Sequence, residues 1–300
     1  MSKRKAQASP ASTASTTETP TSRPSRRSRP TPHQIRRHRP RSLDEVIGNR
    51  ELKEFVATSL ASQVRGQTVS LKLAGPRLSG KTATIQLYLQ ALMCPNRDLV
   101  SFAPCYGADC QACRNYKPWY SHVGLNHLMT GTYGDDTVQV VALPCGKIDQ
   151  NDITRELSPL KEVDGVRIVV LEDAGLLRPR GLERVLKAES ERLDTVWIAL
   201  DEDFRELHDS PLLEKFDRTI RTQLPGPSEF IPYLIDRCDE WEIDFDRDDP
   251  ELFVILAERS GCVVGRALKV IAQAAQDGRR LPRGLVETFD FYPAQVLEPI

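Results

Sequence analysis

The sequence has no apolar run approaching the roughly 18–20 residues that cross a bilayer, so no membrane-spanning helix and no membrane partner are expected. Its N-terminus is basic but lacks an apolar core, which excludes a secretory signal. Together these absences predict a soluble, cytoplasmic protein. In that compartment the seven cysteines are expected to be thiols or metal ligands rather than disulfides. No internal repeat is visible. Acids are almost missing from residues 1–40, where Glu18 stands against ten basic residues between Lys3 and Arg39. That segment carries +9, so the rest of a chain with net charge −1 carries −10. A basic arm on an acidic body suits contact with a polyanion such as DNA; a solubilising tail has the same composition. Residues 1–38 also hold almost nothing large and apolar, so no core can offset the entropy of ordering them, and a disordered arm is expected.

From Arg39 the composition turns globular, and 40% hydrophobic residues overall are enough to build a core. Ser42 and Glu45 have the spacing of a capping box. Apolar positions from Leu52 to Val64 repeat at helical period, with Gly66 as the stop. Residues 69–74, 138–143, 166–171 and 195–200 read as strands, and residues 82–93, 152–160 and 181–190 as helices. Val166 to Leu171 is apolar at nearly every position, as expected in a parallel sheet covered on both faces. The alternation predicts a three-layer α/β domain over 39–224. Pro225-Gly226-Pro227 breaks the chain, and three helical stretches predict a small all-helical lid over 225–278. The tail, 279–300, carries no clear pattern.

Gly75-Pro76-Arg77-Leu78-Ser79-Gly80-Lys81-Thr82 fits G-x-x-x-x-G-K-[ST] between a strand and a helix. The chemistry needs this spacing. Glycines let successive N–H groups turn inward around phosphate oxygens, and the helix N-terminus adds positive potential. Lys81 reaches the β- and γ-phosphates, and the Thr82 hydroxyl takes a Mg²⁺ position. The alternative is a chance glycine-rich turn. A second metal-side carboxylate belongs at the end of a neighbouring buried strand, where Glu172 and Asp173 stand; two acids at an exposed strand end are the alternative. Cys94, Cys105, Cys110 and Cys113 follow C-x10-C-x4-C-x2-C, and four thiolates complete a tetrahedral structural Zn²⁺ site within 94–113. Four unrelated loop cysteines are the competing reading. Cys145, Cys238 and Cys262 read as small core residues.

Arg39-Pro40-Arg41-Ser42-Leu43-Asp44-Glu45-Val46-Ile47-Gly48 resembles the segment that opens AAA+ ATPases of the bacterial clamp-loader type, the class of the gamma/tau and delta-prime subunits of DNA polymerase III. The phosphate loop and then a four-cysteine module follow in the family's order. The resemblance spans roughly Arg39 to Asp277. It implies a P-loop AAA+ domain with a helical lid, ATP and Mg²⁺ as ligands, a structural Zn²⁺, and Val46 and Ile47 against the adenine. It implies hetero-oligomeric partners in DNA replication or repair, with DNA reached through the basic arm or the assembly. Glu172 would support the metal and Asp173 would polarise water, although the family's catalytic order is Asp-Glu. The Ser-Arg-Cys finger motif is absent near Leu213 to Arg218. The polar sensor expected near Leu200-Asp201 matches poorly. Arg266 lies one place from the position of the family's lid arginine, where Gly265 stands. A collar domain is expected to be missing after the lid. The expected function is an ATP-binding subunit with weak or no hydrolysis; a non-hydrolysing scaffold like delta-prime and an unrelated AAA+ regulator are the alternatives.

Overall fold

The computed structural model describes residues 29–36, 38–61, 69–116, 127–133, 136–149, 151–158, 160, 165–190, 195–204, 212, 214 and 216–291. In chain order they form α1 (Pro32–Arg36), α2 (Arg50–Ala61), β1 (Leu71–Ala74), α3 (Lys81–Met93) and α4 (Gln111–Asn115). Next come β2 (His127–Tyr133), β3 (Asp136–Pro144), α5 (Ile153–Leu157), β4 (Gly165–Glu172), α6 (Pro179–Ser190), β5 (Thr195–Asp201) and β6 (Arg218–Arg221). The chain continues through α7 (Pro227–Glu240), β7 (Asp244–Phe245), α8 (Leu252–Ser260), α9 (Val264–Gln276), β8 (Arg280–Leu281) and α10 (Arg283–Thr288). Among the described residues no helix is long and apolar enough to cross a membrane.

The large sheet runs β2-β3-β4-β5-β1-β6. Five strands are parallel and β2 pairs antiparallel with β3 at the edge. Because side chains alternate along a strand, β4 feeds two cores. Ile168 and Val170 join the core under α2 and α3, with Leu52, Val56, Ile85 and Leu89. Val169 and Leu171 join the core under α5 and α6, with Ile153, Leu157 and Val185. Both faces are therefore covered, which is why β4 is apolar throughout. Helix α3 is buried on most of its circumference, from Thr84 to Met93, and so fixes the loop that precedes it.

Two strands of the large sheet were not expected from sequence. β6 is the opposite edge of the sheet, and only Ile220 of its four residues is buried. β2 reads His-Leu-Met-Thr-Gly-Thr-Tyr, without the dense apolar run that marks a central strand. The capping box at Ser42 does not form. Leu43–Glu45 is a single 3-10 turn, Ser42 makes no side-chain cap bond, and the Glu45 carboxylate accepts from the Arg41 N–H instead (2.9 Å). The proposed stop at Gly66 lies outside the described residues.

The helical domain has its own core, built on Phe230, Leu234, Leu256, Ala267 and Ile271. It extends past both expected limits. Pro32–Arg36, assigned above to the disordered arm of 1–38, is a helix that packs on α9, with Ile35 only 1% exposed. One large apolar residue is enough to seat it, and averaging over an otherwise polar arm hides that residue. Residues 1–28 lie outside the described residues. On the other side, β8 pairs with β7, and Leu281, Val286 and Phe291 enter the same core, so the tail expected to lack structure from 279 is folded to Phe291. Residues 292–300 lie outside the described residues.

Candidate functional site

β1 sits between β5 and β6, and the loop that leaves it is clamped on both sides. The Gly75 N–H donates to the Glu202 carbonyl (2.8 Å), and the Thr222 N–H donates to the Ala74 carbonyl (2.8 Å). Gly75 has φ +149°, and a Cβ there would lie 1.7 Å from Thr222 Oγ1. Only glycine fits this neck. Gly80, at φ +93°, turns the chain into α3. Lys81 then points back into the loop, its Nζ donating to the carbonyls of Gly75 (2.5 Å) and Pro76 (2.9 Å). Burial lowers the Lys81 pKa, while Glu202, Asp173 and Asp201 oppose that fall. The loop therefore holds the Lys81 ammonium against two of its own carbonyls at the N-terminus of α3; a cation and free helix N–H groups together are what a polyphosphate requires.

A cavity of about 430 Å³ opens above it. Arg77 to Thr82 form its floor, and Val46 and Ile47 one wall. Glu172 and Asp173 stand at the far side. Glu172 ends β4 and is 2% exposed; Asp173 follows at φ +50°, leading into a 3-10 turn, Ala174–Leu176. Gly75 and Pro76 do not line the cavity; their carbonyls hold Lys81 instead.

The lid closes the cavity from above at the start of α9. The Gly265 N–H donates to the Leu78 carbonyl (3.2 Å), and a Cβ at Gly265 would stand 2.8 Å from that of Leu78. Gly265, Val264 and Leu268 line the cavity, whereas Arg266 does not. The Arg266 guanidinium turns to the Ser260 carbonyl (3.4 Å). Arg266 was expected at the nucleotide; here its neighbour Gly265 meets the loop, and one residue along a helix rotates a side chain by about 100°. Arg218, the remaining arginine in the finger region, lies in β6, pairs with Glu51 (3.4 Å) and stands over the Phe55 ring.

Sequence reading missed three residues. Asn49, 3% exposed at φ +51°, donates its amide to the Ser79 carbonyl (3.2 Å) and so ties the Val46–Ile47 wall to the phosphate loop. An asparagine directly after a glycine, before a helix, was the available signal. Thr222 shapes the neck of the loop from β6. Asp201 ends β5 opposite Ala74, and its carboxylate accepts from the Gly175 N–H (2.9 Å). It thus occupies the place where a polar sensor was sought.

The cysteine cluster adjoins the Arg39–Gly48 segment, where the Tyr106 hydroxyl donates to the Arg41 carbonyl (3.0 Å). The four Sγ atoms of Cys94, Cys105, Cys110 and Cys113 all lie within 4.8 Å of one another. Cys94 and Cys110 are 3.9 Å apart, and Cys105 and Cys113 are 3.7 Å apart. Zn–S bonds of about 2.3 Å in a tetrahedron require S···S edges of about 3.8 Å, which these two pairs match, so the four thiols suit Zn²⁺. The Gly107 N–H donates to Cys105 Sγ (3.4 Å), which helps hold that thiol's pKa down.

No protein-family model matches the chain, and no curated protein matches its sequence. Solved structures do resemble it. RuvB from Thermotoga maritima, described as a Holliday junction branch migration motor, aligns with TM-score 0.52 and 16% identity, covering 85% of this chain and 72% of that one. Orc1 from Aeropyrum pernix, solved in complex with DNA, aligns with TM-score 0.52 and 16% identity, covering 82% and 65%. The sheet order, the loop between β1 and α3, and the helical lid seated on that loop give this chain the AAA+ P-loop fold.

Proposed function

We propose that this protein is an ATP-binding AAA+ subunit that works on DNA within a hetero-oligomeric assembly of the clamp-loader type and hydrolyses ATP weakly or not at all. The observation that carries this reading is the Lys81 ammonium held by two carbonyls of its own loop, Gly75 and Pro76, beneath a lid that touches the same loop at Leu78. A chance glycine turn has no need of either. Lys81 and the N–H groups of the loop hold the phosphates, and Val46 and Ile47 flank the purine. Thr82 and Glu172 hold Mg²⁺, which when bound neutralises phosphate charge. The four cysteines hold a structural Zn²⁺.

Weak hydrolysis follows from the acids and arginines. Asp173 sits where the family's catalytic version carries a longer side chain, and a misplacement of 1 Å can lower a rate on the order of 100-fold. Arg218 is engaged with Glu51, and Arg266 with Ser260, so positive charge at the γ-phosphate is left to a partner. Nucleotide occupancy then biases docking between subunits. The same two arginines favour the second reading, a non-hydrolysing scaffold of the delta-prime kind. DNA enters through the basic arm and through the assembly; Orc1 was solved in complex with DNA, and RuvB is described as a Holliday junction branch migration motor.

The test is ATP binding and steady-state turnover for the wild type and Lys81→Ala, with and without primed DNA. Binding that is lost in the variant, with little turnover, supports the proposal. Fast turnover by the isolated protein overturns the weak-hydrolysis part. No binding by the wild type leaves only the scaffold.

A further inference from the structure

We propose that the cysteine module is the clasp that positions the purine wall, so that Zn²⁺ at the four thiols sets nucleotide affinity from outside the nucleotide cavity. This rests on the nucleotide reading above. The wall continues from a segment that borders open space. His38, Arg39, Pro40 and Glu45 line both the 430 Å³ cavity and a second cavity of about 740 Å³. Where a segment borders a cavity its backbone lacks neighbours on that side, so the bonds to that backbone carry added weight.

Two of those bonds come from the cysteine module. The Tyr106 hydroxyl donates to the Arg41 carbonyl (3.0 Å), and the Leu43 N–H donates to the Ser101 carbonyl (3.2 Å). Both partners are fixed by the module itself. Tyr106 directly follows Cys105, at φ +49°. Ser101 belongs to the turn between Cys94 and Cys105, where the Asp98 carboxylate accepts from the Ser101 hydroxyl (2.5 Å) and from the N–H groups of Val100 (3.0 Å) and Ser101 (3.2 Å). The clasped segment then runs directly into the site. The Val46 carbonyl accepts from Lys53 Nζ (2.9 Å), Val46 and Ile47 form the wall, and Asn49 reaches the Ser79 carbonyl. One unbroken covalent stretch, Arg41 to Asn49, thus joins a thiol cluster to the phosphate loop. Leu43 and Val46 also anchor it by their side chains in the core, so loss of the clasp loosens the wall without unfolding the domain.

Tyr106 is 46% exposed, so Tyr106→Phe removes one hydroxyl and leaves the core intact. The experiment compares zinc-loaded wild type, chelator-stripped wild type and Tyr106→Phe, with metal content measured in each. Affinity is read with a fluorescent ATP analogue, and amide exchange is followed over Leu43 to Asn49. Tyr106→Phe is expected to keep its zinc and its melting temperature while binding the analogue about threefold to tenfold more weakly, the scale of one lost hydrogen bond. Stripping is expected to cost at least as much and to speed exchange at Leu43, Gly48 and Asn49. Unchanged affinity in zinc-retaining Tyr106→Phe, with exchange over 43–49 unmoved by stripping, overturns the proposal. Should stripping unfold the chain, Tyr106→Phe alone decides, through affinity and exchange at Leu43. If the zinc-loaded wild type binds no analogue, the nucleotide reading fails and takes the affinity part of the proposal with it, while exchange still decides the mechanical clasp.

Discussion

His38 lines the same cavity as Val46 and Ile47, with its ring edge-on to Trp241 at 5.1 Å. Burial, then Arg237 and Arg41, lower its pKa to about 4 against a weaker opposing effect from Glu45. The sign is fixed by which state binds the proton. Above the ordinary value of 6.5 the ring is neutral whether the chain is folded or not, and stability is full. As pH falls from there toward about 4 the unfolded chain takes up a proton that the folded one refuses, so stability is lost across that window. A melting temperature flat above pH 7 and falling below 6.5 is expected, with the slope reduced in His38→Gln; an identical slope in the variant would assign the effect to other groups. Gly265 makes a second residue-scale case. In Gly265→Leu the new side chain must push α9 away from Leu78, and overpacking of this kind costs about 1–3 kcal/mol. Replacing a helical glycine returns about 1 kcal/mol. Nucleotide affinity, measured by titration, should therefore fall roughly tenfold while the melting temperature moves only a few degrees. Residues such as Gly75, Lys81 and the four cysteines were legible because phosphate and metal demand fixed types at fixed spacing. Thr222 and Asp201 were not, because each acts from a position set by its sheet neighbours, which leaves no pattern in the sequence, and Asn49 was marked only by its place between Gly48 and a helix.

Among elements, legibility followed burial. β4 and β5 are covered on both faces and announce themselves as apolar runs, whereas β6 offers only Ile220 to the core and β2 lies at an edge. Helix α1 shows the same rule from the other side. Five residues in a polar arm have no detectable period, yet Ile35 is as buried as the centre of the sheet. Ile35→Ala is expected to destabilise the lid by about 2–5 kcal/mol, the usual range for a fully buried isoleucine. Amide exchange should show the loss concentrated in α9 and spare β4. Uniform loss across both domains would mean that the two unfold as one unit.

At the scale of the whole molecule, the fold class, the order of phosphate loop, cysteine module and lid, and the parallel sheet were all present in the sequence as alternating strands and helices. The route of the chain was not. It begins in the helical domain with α1, crosses to the sheet domain by Asn49, and returns to the helical domain after Thr222. The two crossings lie side by side: the Asn49 N–H donates to the Gln223 carbonyl (2.8 Å), and the Gly48 N–H donates to the Glu229 carboxylate (2.8 Å). A domain held by one tether can swivel like a ball in a socket. One held by two adjacent strands is hung like a door on paired pins, free to swing about the line between them and poorly able to twist or slide. The pins here flank Val46 and Ile47, so the axis passes beside that wall, and Gly265, which meets Leu78 across the cavity, moves toward or away from the loop between β1 and α3 as the door swings.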